Sequence, residues 1–368
     1  MSKLKETKCL FNDKQTPEGM ISVSQLQTFL SCRKKWAYNY IDELKPRVER
    51  SYLTIGKLCH KGMQTAMQML WEKSDSTLEG LTAAGLVAMQ DDYAKYRNET
   101  PLLSEEIPEV EQTWDDAVSV FIQALQEFDP TKYEVVSVVK NGKKVPALEL
   151  HFKIPCPPTK GLHGYIDAIL RDRETGFVWC TDYKFRKSLA PDEDEAFNIQ
   201  NAVYARACGK MDIPITGTMT WQHVNTPAAD PQLLKTGAVS RTKIRTTWEH
   251  YAAFCLSVGQ DPENYREEMQ EKLADSEWCR PTLEYRNEDT ILRIWCSCIL
   301  PVAKMIKKAR AVDADNYRSL YPWNCKMCQY QSLCQGELRD YDIDEIIARE
   351  YTRRGSNASL VQSEGTQE

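Results

Sequence analysis

The sequence predicts a mixed α/β protein: a central sheet flanked by helices, with helical extensions at both ends. Three observations carry this expectation. Apolar residues recur at helical intervals from about 21 to 128, the period falls to two near residue 133, and helical spacing returns from about 245 to 312. The expected segments are a flexible N-terminus (1–20), a helical region (21–130), a core (131–225), a second helical region (226–336) and a tail (337–368) with a disordered end.

Taken in order, Ser22 or Ser24 can cap a first helix, each with a glutamine three residues on. Leu26, Phe29, Leu30, Ala37, Tyr40, Ile41 and Leu44 follow at helical spacing, and Pro46 marks an end. A second helix follows Gly56, with Leu58, Met63, Ala66, Met67 and Leu70 on one side. Further helices are expected over 75–128, where Val110, Trp114, Ala117, Val118, Phe121 and Leu125 form an apolar stripe. Tyr133 to Lys140 and Ala147 to Ile154 have strand character, the second alternating Leu148, Leu150, Phe152 and Ile154 with Glu149, His151 and Lys153. Leu162 to Leu170 and Phe177 to Lys184 form a hairpin whose turn ends near Gly176. An acidic loop at Asp192 to Glu195 leads into a helix carrying Gln200 and Tyr204, and Thr216 to Val224 is a fifth strand. The polar stretch from Thr352 to Glu368 is expected to be disordered.

A net charge of −6 argues against a protein that coats nucleic acid through global positive charge, while leaving room for a local basic groove. The polar start has no apolar signal region and no apolar run approaches the ~20 residues that span a bilayer. Thirteen cysteines under those conditions point to reducing cytoplasm and to metal binding instead of a disulfide set.

The chemistry centres on three short motifs: Gly164-Tyr165-Ile166-Asp167, Thr181-Asp182-Tyr183-Lys184, and Gln200 with Tyr204 four residues later. Asp182 and Lys184 share a strand face, Asp167 lies on the preceding strand, and Gln200 and Tyr204 share a helix face. Paired carboxylates suit a hard divalent cation such as magnesium, and a lysine beside them can steady a phosphate or a water. Metal-assisted phosphodiester hydrolysis is the expected reaction class.

A separate group is Cys325-x-x-Cys328 followed by Cys334. Sets of four thiolates hold either zinc or an iron–sulfur cluster, and the residues alone leave both open. Cys296 and Cys298 could supply a further ligand.

These motifs resemble the PD-(D/E)XK nuclease superfamily, and within it the RecB-like exonucleases, the CRISPR-associated four-cysteine exonucleases, the AddB nuclease domain and stand-alone bacteriophage relatives. The resemblance rests on Ser22, Ser24, Leu26, Phe29 and Cys32, on Gly56 with His60, and on Glu149, Asp167, Asp182, Lys184, Gln200 and Tyr204. It implies a restriction-endonuclease-like core in which His60, Asp167, Asp182 and the Tyr183 carbonyl hold magnesium or manganese, with Glu149 as a further ligand. Lys184 would orient or activate water, and Gln200 and Tyr204 would brace the site or touch DNA. Cys32 would join Cys325, Cys328 and Cys334 around a structural 4Fe–4S cluster, with zinc the alternative. The implied activity is a DNA exonuclease preferring single strands or free ends, working in the cytoplasm (a host's, if viral) in recombination, repair or processing beside a possible helicase or recombination partner. Two departures from the pattern are Ile166 in place of the proline and Phe185 after the lysine.

Two basic-aromatic stretches could grip nucleic acid: Arg33-Lys34-Lys35-Trp36 with Tyr38 and Tyr40, and Arg241, Lys243 and Arg245 with Trp248. No Gly-x-x-x-x-Gly-Lys-Ser/Thr phosphate loop is present, so the chain carries no helicase motor of that type. The competing reading is a non-catalytic DNA-binding or assembly subunit that keeps the fold and its thiolate site.

Overall fold

The computed structural model describes residues 19–100, 102–128, 132–274, 277–285, 287–310 and 316–354; the expected flexible N-terminus up to residue 18 and the end of the tail from 355 lie outside them. A short strand β1 (Met20–Ser22) runs directly into helix α1 (Val23–Ser31). The Ser22 hydroxyl accepts the Gln25 N–H at 3.1 Å, so Ser22 rather than Ser24 is the cap. The single helix expected to reach Leu44 is broken: Cys32 is extended (φ −164°), and α2 (Arg33–Tyr40) restarts beyond it. After β2 (Leu44–Pro46) come three helices, α3 (Ser51–Glu72), α4 (Leu78–Glu99) and α5 (Ile107–Glu127). Gly56 is therefore inside α3, not before it.

These three helices pack closely because of two glycines. A Cβ on Gly62 would stand 2.7 Å from the Phe121 ring, and one on Gly85 would collide with the same ring and lie 3.1 Å from the Gly62 carbonyl. The Phe121 side chain of α5 thus fills the space that two missing side chains leave between α3 and α4. On α5 the buried stripe includes Val120, whereas Val118 is only half-buried.

The next strands are β3 (Tyr133–Val135), then β4 (Ser137–Lys140) and β5 (Lys143–Pro146), which form a hairpin sheet of their own, then β6 (Leu148–Ile154), β7 (Gly161–Asp172) and β8 (Val178–Arg186). The acidic loop is a single helical turn, α6 (Asp192–Glu195), with Glu195 buried; α7 (Ile199–Lys210) and β9 (Gly217–Val224) follow. The C-terminal half contains α8 (Trp248–Ser257), α9 (Arg266–Leu273), β10 (Cys279–Glu284), α10 (Glu288–Ile294), a π-turn at Trp295–Ile299, α11 (Leu300–Ala309), α12 (Pro322–Lys326), α13 (Gln331–Leu338), α14 (Ile343–Glu350) and β11 (Tyr351–Arg353). Two of these strands depart from expectation. β10 lies in the stretch expected to be helical, and β11 places Thr352 and Arg353 in a ladder with β2.

The seven-stranded sheet draws strands from far apart in the chain, β1 at one end and β10 on the outer side of β9. Its pivot is β7. One edge of β7 pairs with β6 and β3, and the other pairs with β1 at Gly161–His163 and with β8 from Ala168 to Arg171. Gly164 to Asp167 therefore face a gap between β1 and β8, a fork in the sheet. Two cores cover the sheet. One, under α1, α7 and α11, includes Phe29, Phe152, Ile166, Val203 and Ile306; the other, under α3 and α5, includes Met63, Phe121, Leu170, Tyr183 and Trp221. Among the described residues no helix is long and apolar enough to cross a membrane.

Candidate active site and cysteine cavity

At the fork the ladder between β7 and β8 ends at Ala168 and Thr181. The next backbone donor, the Tyr183 N–H, is taken by the Asp167 carboxylate at 2.8 Å. Asp167 also lies 3.4 Å from Nδ1 of His60, which α3 presents from one side of the sheet, its ring edge-on to Phe185 at 5.7 Å. Gly164, three residues earlier, must lack a side chain because a Cβ would press on the Phe152 ring at 2.9 Å. That packing accounts for the glycine of the Gly-x-x-Asp motif.

Asp182 and Lys184 point to the opposite side, toward α7. Asp182 is 2 % exposed, and its Oδ1 accepts from the Gln200 Nε2 at 2.9 Å. The same Nε2 donates to the Tyr204 hydroxyl at 2.7 Å, while the Gln200 Oε1 accepts from Lys184 Nζ at 3.2 Å and from the Gln27 amide of α1 at 3.4 Å. One amide therefore fixes an acid, a base and a phenol together, using both donors and both lone pairs. Asp182 Oδ2 lies 2.5 Å from Lys184 Nζ, an ion pair whose angles fall outside a hydrogen bond.

Glu149 enters the same site through its backbone. It falls between Leu148 and Leu150, whose partners Ala168 and Ile166 bracket Asp167, and its φ of +45° lies in the left-handed region. Such a conformation costs a non-glycine residue energy and interrupts the simple alternation the sequence suggests. Burial first, and then the Asp167 charge, push Glu149 up to about 7 against the pull of Lys61. Burial likewise raises Asp167 to about 6, with His60 opposing and Asp182 adding to it.

Among the described residues no three His, Cys, Asp or Glu side chains stand as a closed metal cage in this conformation. The donor set nonetheless fits a divalent cation. Three carboxylates are crowded where burial and mutual repulsion hold two of them toward protonation.

A brace behind the site carried no signal in the sequence. Glu195 Oε2 accepts from Thr220 at 2.7 Å, Asn198 at 2.8 Å and Asn201 at 3.2 Å, and Arg186 stands 3.3 Å from its Oε1. Burial alone would raise this acid, but the bonds from Asn198 and Thr220 and the Arg186 charge hold it below its ordinary value. Gln27 was likewise readable only as a spacing partner of Ser24.

The four cysteines Cys32, Cys325, Cys328 and Cys334 line one cavity between α2 and the C-terminal helices. Ser319 links two of them, its N–H donating to Cys32 Sγ at 3.5 Å and its carbonyl lying 3.6 Å from Cys325 Sγ. Arg318 Nε donates to Cys334 Sγ at 3.3 Å. Burial raises the Cys328 thiol, and Cys32 and Cys334 are near enough to add to that. A convergent thiol set with a cationic neighbour fits a thiophilic metal group, although its sulfurs do not form a closed cage here. Cys296 is exposed on the π-turn and Cys298 packs against the main core, so neither lines this cavity.

Of the basic-aromatic stretches, the first is partly structural. Trp36 and Tyr38 are buried and cannot stack on bases, and Arg33 lies between the Phe29 and Tyr317 rings. In the second, Arg241 pairs with Glu268 and covers Tyr265, and Trp248 lies under Arg266. Lys243 is exposed, and Arg245 reaches the Lys187 carbonyl just beyond β8 at 3.0 Å.

The chain belongs to the PD-(D/E)XK nuclease superfamily, whose family model matches residues 20–335. Members of that superfamily are metal-dependent nucleases that typically use magnesium or manganese, with DNA as substrate. No curated protein matches the chain.

Proposed function

We propose that the protein is a magnesium- or manganese-dependent DNA nuclease, an exonuclease acting on single strands or free ends in recombination, repair or processing, with a structural 4Fe–4S cluster held by Cys32, Cys325, Cys328 and Cys334. The observation that carries the catalytic reading is the Gln200-centred cluster, which sets Lys184 and Asp182 at the fork beside Asp167. His60, Glu149, Asp167, Asp182 and the Tyr183 carbonyl would hold the ion. When bound, such an ion supplies positive charge to a phosphoryl oxygen and acidifies a water. The chain's own residues do the rest. Lys184, anchored by Asp182 and Gln200, holds the attacking water or steadies the charge that builds on the phosphate. Tyr204 and Gln27 keep the Gln200 amide in one orientation, so that Asp182 always meets an N–H and Lys184 always meets a carbonyl.

The exonuclease preference and the cluster rest on the resemblance to four-cysteine exonucleases; the cavity supports the ligand set but is equally compatible with zinc. Any assisting helicase or recombination partner is part of the same reading. Digestion of end-labelled single- and double-stranded DNA, with magnesium, with manganese and with chelator, tests the proposal. Metal-dependent shortening from the ends of single strands supports it. Binding without cleavage under every metal condition would favour a non-catalytic DNA-binding subunit.

A further inference from the structure

One strip of surface leads away from the fork along β6 and β7. Residues 136–160 carry five lysines and a single acid, Glu149, in a chain whose net charge is −6. The strip is built on β6 and β7. His151 pairs with Tyr165 and Lys153 with His163, two and four residues along the strands from Glu149 and Asp167. Two residues of strand span about 7 Å.

Leu162 and Ile166 of β7 are buried in the main core, so alternation turns His163 and Tyr165 the other way. There the rings stack. Tyr165 lies on His151 with centroids 4.6 Å apart and planes at 15°, and His151 meets His163 edge-on at 5.9 Å. His151 is buried behind, while Tyr165 remains 40 % exposed. A tyrosine ring held flat from behind and open in front presents an exposed π surface on which a base can stack.

Lysines lie on the neighbouring hairpin and on β6. The β4–β5 hairpin turns through Asn141 and Gly142, both left-handed, and puts Lys143 and Lys144 at an exposed tip. Lys140 at its base and Lys153 on β6 are close enough to His151 for their charges, after burial, to hold that histidine below its ordinary pKa.

We propose that Tyr165, backed by His151, with Lys140 and Lys153 beside that histidine and Lys143 and Lys144 at the tip of the hairpin that Lys140 begins, is a base-stacking platform for one single strand of nucleic acid entering or leaving the fork carboxylates. The strand must be single because a ring can cover a base face only where the base is unpaired or terminal. Lysines beside the ring follow the phosphates, which is how sequence-tolerant single-strand sites are built. This platform rests on the nuclease reading and adds to it the path of the substrate.

The test is fluorescence anisotropy of the intact protein with a labelled oligothymidylate, in chelator, so that binding is read without cleavage. Tyr165→Ala should weaken single-strand binding about tenfold, as loss of one stacked base does, and Tyr165→Phe should restore it. Wild type should lose a similar factor on an oligonucleotide carrying abasic residues, and Tyr165→Ala should not. Lys143→Glu with Lys144→Glu should weaken binding and flatten its dependence on salt. Unchanged binding by Tyr165→Ala, or a Tyr165→Phe protein as weak as the alanine variant, would overturn the platform. So would an equal loss on duplex DNA. Oligonucleotide binding through Tyr165 by a protein that never cleaves would refute the nuclease reading and leave the platform standing.

Discussion

Asp167 accepts the Tyr183 N–H at 2.8 Å, so a side chain closes the β7–β8 ladder where the backbone has stopped pairing. The same carboxylate is asked to bind metal, and the two duties can be separated. Asp167→Asn keeps an acceptor oxygen and loses the charge; it should retain the wild-type urea midpoint and lose at least about 100-fold in cleavage rate. Asp167→Ala should lose as much activity and, by orphaning a buried N–H, about 1–3 kcal/mol of stability as well. A cleaving Asp167→Asn protein would remove this residue from the metal site.

Gln200 meets Asp182 through its amide nitrogen. Gln200→Glu should therefore be worse than Gln200→Ala, because a second carboxylate would face Asp182 while the alanine leaves only a gap. Initial rates on labelled single-stranded DNA should fall about 10-fold for alanine and further for glutamate, given the usual cost of disturbing one electrostatic element. The reverse order would mean that Gln200 acts on DNA directly and not by bracing the acid.

The glycine pair beneath Phe121 should be intolerant of even one methyl group. Gly85→Ala places a Cβ on the Phe121 ring and should cost about 1–3 kcal/mol in urea unfolding. Cleavage per folded molecule should stay near wild type, since Gly85 lies on α4, away from the fork. A stabilised alanine variant would show that Phe121 has room to move.

Stability should decline in mild acid partly through His223. Its Nδ1 contacts the Val224 carbonyl at 2.7 Å, its Nε2 is buried without a partner, and burial depresses its pKa to about 4. Above roughly pH 6.5 the ring is neutral in both folded and unfolded chains and contributes no slope. Between about 6.5 and about 4 only the unfolded chain takes up the proton, so stability falls as pH falls. His223→Gln should flatten the unfolding free energy across that window; an unaltered slope would place the acid sensitivity in other groups.

The cysteine cavity makes a prediction about distance in sequence. Cys32→Ser should release bound iron or zinc as completely as Cys328→Ser, and both should become protease-sensitive near α2 and α13, because metal binding in such sites is folding energy. Cys296→Ser, exposed on its π-turn, should keep full metal content by elemental analysis. Retained metal in Cys32→Ser would move the fourth ligand elsewhere.

What the sequence determined by itself was whatever local periodicity controls. Asp182 and Lys184 had to share a strand face, Gln200 and Tyr204 a helix face, and Ser22 could be read as a cap from the residue three positions on. The apolar stripes of α3 and α5 and the β7–β8 hairpin were legible for the same reason: neighbours within a few residues decide them. Tertiary structure decided what depends on partners far along the chain. β10 reads as an ordinary short segment until β9 offers it an edge, and β11 reads as tail until β2 does. The break at Cys32 follows from that residue's place between the N-terminal helices and the C-terminal cavity, nearly the full chain apart. Alternation groups Glu149 with His151 and Lys153 and says nothing about a left-handed residue; its place beside Asp167 follows from the bracket that Ala168 and Ile166 set around that acid. The fork itself is a long-range event, since β1 and β8 compete for one edge of β7 and leave four residues between them without a partner on that edge. At that gap the Tyr183 N–H, left open by the backbone, is met by the Asp167 carboxylate, which ties the acid of β7 to the strand that carries Asp182.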